Sequence, residues 1–228
     1  RFDECAEICQ DIIGGEYGEY ALDTDWYGPH DFFNNESPEI IWSTPSERNK
    51  LEYRWFYETF YHYESYKYFG TEGGGWNGAH LQPSRKPTDE IYDFELGKPY
   101  ESFHDEDLRK QPYLYHGNGN YEGMFLVGEQ TNPLTGKSSR GTQEYNGEVI
   151  TLVDKVARFS ELGSDEYPTV EDLTSTMADG EENTGVRLVK VPQPNMADDN
   201  LRWGADNPVI RLAEVYYMLA ECKLRAGN

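Results

Sequence analysis

The strongest constraint on the fold is a stripe near the C-terminal end. Val209, Leu212, Ala213, Tyr216, Leu219, Ala220 and Lys223 recur at the spacing of one face of an α-helix. Asn207 and Pro208 stand where an N-cap and a first helical position are expected, and Gly227 stands at the C-cap. Ala213 and Ala220, two turns apart in the stripe, let a second helix approach closely. Helix-pair repeats stack through stripes of this kind. A matching face opens the chain: Phe2, Cys5, Ala6, Cys9, Ile12 and Ile13 share one side of a helix over residues 1–13 that Gly14-Gly15 ends.

The intervening sequence is different in kind. Residues 16–38 are rich in Gly, Asn, Asp and Pro and predict a loop, and Glu39-Ile40-Ile41-Trp42 predicts a strand. Over 51–69, Leu51, Tyr53, Trp55 and Tyr57 alternate as in a strand, whereas Phe56, Phe60 and Tyr63 fit a helix. Residues 70–148 carry repeated turn signals at Gly73-Gly74-Gly75, Gly117-Asn118-Gly119 and Asn132-Pro133. Long excursions of this type in compact domains are usually functional. Val186 to Val191 alternates and predicts a strand.

Composition narrows the possible partners. The 228 residues carry 20 Lys plus Arg against 42 Asp plus Glu, a formal charge of -22. Such a surface repels phosphate backbones and anionic headgroups, while a neutral ligand such as a sugar is not repelled. Apolar residues make up 37%, yet 10 Phe, 5 Trp and 18 Tyr supply the buriable area that disordered chains lack. Cys5, Cys9 and Cys222 are odd in number and lack metal-ligand spacing, so they predict small apolar side chains packed between helices. No run of about 20 apolar residues is present for a membrane span.

Several segments resemble, in order, those of the SusD/RagB family of outer-membrane nutrient-binding lipoproteins of Bacteroidetes. Pro208-Val209-Ile210-Arg211-Leu212-Ala213-Glu214-Val215-Tyr216-Tyr217-Met218-Leu219-Ala220-Glu221 is similar to the family's signature helix, with Cys222 where a small residue is usual. Gly185 to Pro192 resembles the strand preceding that helix, and Glu39 to Trp42 is similar to the family's "E-I-I-F" strand. Pro87 to Ile91 resembles "P-T-x-hydrophobic", and Asp105 to Arg109 resembles a "D-P-R" element with Leu108 replacing proline.

The resemblance implies a mainly α fold of tetratricopeptide-like helix pairs, with an irregular loop-rich subdomain and a few short strands. Residues 1–228 would form the middle portion of a longer domain. In it, 1–15 is a scaffold helix, 16–185 a ligand-binding excursion, and 186–228 a strand plus the signature helix. It further implies non-catalytic capture of oligo- or polysaccharide and its delivery to a TonB-dependent SusC-like transporter. The protein would be held at the outer membrane by a lipid anchor outside this chain, with no cofactor.

Sugar rings present C–H faces that lie on aromatic side chains, while their hydroxyls need polar groups at the edge. Trp76, Asn77 and His80, in the segment Gly73 to His80, supply this mixture, and Trp26 with Tyr27 is a second candidate pair. Asp23-x-Asp25-x-x-Gly28 begins like a calcium loop but lacks two oxygen ligands. Glu214 and Glu221 share a helix face, a spacing that invites a glycosidase pair, but ion pairing with Arg211 and Arg225 is the better account of them. Gly136-Lys137-Ser138 imitates a phosphate loop without its first glycine. A helical-repeat adaptor for a protein partner and a glycoside hydrolase are the rival functions.

Overall fold

The computed structural model describes residues 1–47, 50, 62, 75–76, 80–81, 88, 100–117, 120–132, 135–154, 158–169, 172, 180–191 and 205–227. The chain divides into two compact units, one of Arg1–Tyr53 with Arg202–Asn228 and one of Arg54–Leu201.

In the first unit, α1 (Phe2–Gly14) ends in a left-handed glycine. Gly15, at φ 88°, turns the chain so that its N–H reaches the Ile12 carbonyl and that of Glu16 reaches Asp11. The second helix, α2 (Leu212–Ala226), closes the same way at Gly227. Cys9, Leu212 and Val215 form a buried cluster between the helices, joined by Cys5, Ile12, Ile13, Tyr20, Ile41 and Leu219. The α1 stripe from Cys5 to Ile13 packs as its spacing predicts. On α2, however, the buried face is Leu212, Val215 and Cys222, with Leu219 half-buried, while Tyr216, Ala220 and Lys223 of the predicted stripe are exposed. The three cysteines are free thiols.

The start of α2 corrects the sequence expectation. Asn207 and Pro208 do not cap a helix. They open a strand, β8 (Asn207–Arg211), which pairs antiparallel with β1 (Ile40–Thr44). In a two-stranded ladder a proline can sit where its missing N–H would face outward, and Val209 and Ile210 favour extended backbone. The helix begins only at Leu212, whose N–H donates to the Glu39 carbonyl at 2.9 Å.

A buried asparagine holds the approach to β8. Asn34 Nδ2 donates to the carbonyls of Asp206 (2.8 Å) and Pro29 (3.1 Å), and its Oδ1 accepts the Asp206 N–H at 2.8 Å. The Asp206 carboxylate in turn accepts from Ser46 N–H and Ser43 Oγ. One amide side chain thereby stands in for a ladder partner.

The second unit is built from short antiparallel pairs. Between β2 (Leu114–Gly117) and β7 (Arg187–Leu188) lie β3 (Asn120–Glu122), β4 (Phe125–Leu126), β5 (Gly128–Glu129) and β6 (Thr151–Leu152). They pair as β2 with β3, β4 with β7, and β5 with β6. Leu126, Ile150, Leu152 and Val189 form the core, with Tyr113 against it. Phe125, fully buried, meets Tyr100 and Phe103 edge-on at 5.2 and 5.1 Å.

A mainly α, tetratricopeptide-like architecture is not what forms. Among the described residues there are two α-helices, making one pair, and the strands lie in two-stranded sheets. Among the described residues, helical stripes lie only near the two ends of the chain. Between them apolar residues arrive in short runs cut by turns, a pattern that pairs as strands. The 186–191 segment is a strand only at Arg187–Leu188, and Val186, Arg187, Val189 and Val191 are all buried, so its alternation does not separate two faces. The ambiguous 51–69 segment lies outside the described residues apart from His62, as does Pro87 to Ile91 apart from Thr88.

Candidate functional site

One buried turn, Glu181 to Thr184, organises the second unit. The Glu182 side chain is 1% exposed. Its carboxylate accepts the backbone N–H groups of Thr142 (2.7 Å), Gln143 (3.2 and 3.3 Å) and Tyr145 (2.9 Å). Glu181 beside it accepts from Ser160 and, at 2.9 Å, from the Tyr145 hydroxyl, while Asn183 Oδ1 accepts the Thr151 N–H. Burial and the Glu181 carboxylate push the Tyr145 hydroxyl well above its ordinary pKa. Buried carboxylates need such donors, since an unpaired one is strongly disfavoured.

The same turn anchors the segment bearing Trp76. His62, fully buried, donates from Nε2 to the Glu182 carbonyl at 2.8 Å, and its own carbonyl accepts the Gly75 N–H at 3.1 Å. A few residues on, the Leu81 N–H donates to Val186 at 2.9 Å. His80 packs its ring on Gly185, which has φ 74° and no room for a Cβ without collision with that ring. Both flanks of Trp76 are therefore tied to residues 182–186. The Trp76 side chain between them is 67% exposed.

His80 is not positioned as a surface donor. Both its ring nitrogens are buried without a hydrogen-bond partner. Burial, and secondarily the Arg187 guanidinium, lowers its pKa from 6.5 to about 4, so it stays neutral. Asn77 lies outside the described residues.

In the first unit, Trp26 and Tyr27 meet edge-to-face with centroids 5.9 Å apart, both half-buried. The Asp23 carboxylate beside them accepts the Asp25 N–H and the Ser37 hydroxyl, and packs against Gly28. It acts there as a turn-former. Among the described residues no three His, Cys, Asp or Glu side chains are placed to hold a metal ion.

The remaining motifs resolve simply. Glu221 pairs with Arg225 at 2.7 Å, and Glu214 lies 3.8 Å from Arg211 on an exposed face. Gly136-Lys137-Ser138 forms a tight hairpin tip: Asn132 N–H donates to the Lys137 carbonyl, and Asn132 Oδ1 accepts from Thr135 N–H. Asn132, Thr135, Lys137 and Ser138, with Ser139 and Arg140, line an open cleft of about 390 Å³. Sequence reasoning missed Glu182, Asn34 and the Glu39–Arg211 pair. A signal existed only for the last, in two motifs of the family pattern. No described helix is long and apolar enough to cross a membrane.

Comparison with known proteins agrees with the ordered motifs. No curated protein matches the chain. Among solved structures, a SusD superfamily protein from Parabacteroides distasonis matches at 17% identity with a TM-score of 0.52, over 99% of this chain and 35% of that one. The present chain thus spans about a third of that protein's length, and the likeness establishes a shared fold. The family model of the SusD family matches residues 38–228, so this chain belongs to the SusD family.

Proposed function

We propose that this chain is the glycan-holding part of a non-catalytic nutrient-uptake protein. Its ligand is an oligo- or polysaccharide, and its partner a TonB-dependent SusC-like transporter to which the sugar is passed. On this reading the whole protein is an outer-membrane lipoprotein whose anchor lies outside this chain. Family membership supports the general role.

The observation that carries the reading is Trp76. An indole two-thirds exposed costs hydrophobic free energy, and it sits on a segment fixed at both flanks to a buried turn. An exposed ring carried on an anchored backbone segment is available to stack on a neutral pyranose face, because the segment need not be ordered on binding. Asn77 supplies an edge hydrogen bond and His80 supports the segment through Gly185, while Trp26 with Tyr27 is a separate candidate contact within the first unit.

Isothermal calorimetry with a panel of neutral and acidic polysaccharides tests this. Binding without release of reducing ends supports it. Failure to bind any glycan, together with binding of peptides, would favour an adaptor, and Tyr217 (75% exposed) and Leu224 (78% exposed) on α2 are the surface such an adaptor would use. Release of reducing ends would establish a glycoside hydrolase instead.

A further inference from the structure

Helices α1 and α2 lie antiparallel, as contacts at two levels show. Near one end the Arg225 guanidinium sits 5.4 Å over the Phe2 ring, and further along Cys9 packs with Leu212 and Val215. Between these levels that register sets Cys5, one turn on from Phe2, opposite Cys222, one turn back from Arg225. Cys9 and Cys222 are buried, whereas Cys5 is half-buried and open to solvent on one side.

We propose that Cys5 and Cys222 form a reversible disulfide between the two helices, with Cys9 remaining a thiol. Cys9 is excluded by geometry. Side chains four apart on one helix hold their Cβ atoms about 5–6 Å apart, whereas a disulfide requires about 3.5–4.5 Å. Cys222 comes from the opposite helix and is free of that limit. Nor can Cys9 reach Cys222: it packs at the level of Leu212 and Val215, about two turns along α2 from Cys222.

A small disulfide such as oxidised glutathione serves as oxidant. The Cys5 thiolate attacks one of its sulfurs, forming a mixed disulfide and expelling one glutathione thiolate. The Cys222 thiolate then attacks Cys5 Sγ, breaks the mixed disulfide and expels the second. Two electrons pass from the cysteines to the glutathione disulfide, and the two thiol protons end on the released glutathiones. The bond would persist in the oxidising surroundings of exported proteins.

The test is to incubate the purified chain with oxidised glutathione, count thiols after denaturation, and map peptides without reduction. One thiol should remain of three, a cross-linked peptide should join Cys5 to Cys222, and the melting temperature should rise and revert with reductant. The Cys9→Ser variant should cross-link equally, and Cys5→Ser should keep both remaining thiols. Three persistent thiols, a lasting glutathione adduct on Cys5, a Cys5–Cys9 link or a link between two chains would each overturn the assignment.

Discussion

Glu39 and Arg211, 172 residues apart in sequence, form an ion pair of 2.8 Å at the junction of β1, β8 and α2. Glu39 is 6% exposed, and its other carboxylate oxygen accepts the Asp23 N–H at 3.1 Å. Its carbonyl receives the first N–H of α2, so a single residue organises strand, loop and helix start.

Arg211→Met would leave that carboxylate buried with one backbone donor. A loss of about 2–3 kcal/mol is expected, at or just below the usual cost of breaking a buried pair. Urea denaturation of the single variants and of Glu39→Gln/Arg211→Met measures it, and the double variant should lose less than the two single losses combined.

Asn34→Ala should cost about 2 kcal/mol, since buried partners are left unsatisfied on Pro29 and Asp206. Asn34→Asp should be worse. A carboxylate cannot donate to either carbonyl, and it would set a buried negative charge against both of their oxygens. Thermal melts of the two variants give the order.

Glu182→Gln places an amide N–H₂ against backbone N–H groups. The Thr142, Gln143 and Tyr145 amides should exchange with solvent faster than in the wild type, while those of α1 and α2 keep their rates. Hydrogen exchange read by mass spectrometry separates this local opening from a general loss of stability.

His80 predicts a specific acid response. Its folded pKa, about 4, lies below its ordinary 6.5, so the unfolded chain takes up the proton first as pH falls. The contribution to stability is constant above pH 6.5, declines on acidification from there to about 4, and is flat again below. Stability curves of wild type and His80→Gln should run parallel above pH 6.5 and converge or cross below it. Parallel curves throughout would show that His80 is not buried neutral.

Trp76→Ala should weaken glycan binding about tenfold, as expected when one aromatic stacking contact is lost, with the melting temperature unchanged. Calorimetry alongside a melt checks both halves of this expectation.

The parts of the fold legible in the sequence are those set by local pattern. The two helices form where their spacing marks them, Cys5 to Ile13 pack on the predicted side, and Gly15 and Gly227 stop both helices, although α2 buries Val215 and Cys222 rather than Tyr216, Ala220 and Lys223. Asn207-Pro208 was not legible, because the dipeptide suits a helix start and a strand entry equally. The choice is made by β1, far away in the chain. Extending the terminal helical pattern to the whole chain fails for the same reason: short runs such as Tyr113–Tyr115 and Met124–Leu126 are defined by strands they meet later. Glu182 and Asn34 read as ordinary surface residues, since nothing nearby in sequence announces the backbone groups that close over them. Nor does sequence reveal whether a tryptophan such as Trp76 plugs a core or stands in solvent.

Strand β8 passes into α2 at Arg211 with no loop between them. The two elements are therefore geared. One residue inserted between Arg211 and Leu212 would rotate the helix by about 100° relative to the ladder, swinging Val215 out of its cluster and Cys222 away from α1. Length can be added at the free end of either element, but the joint itself admits only substitution, and a change of rotational phase there would be felt at every turn of the helix.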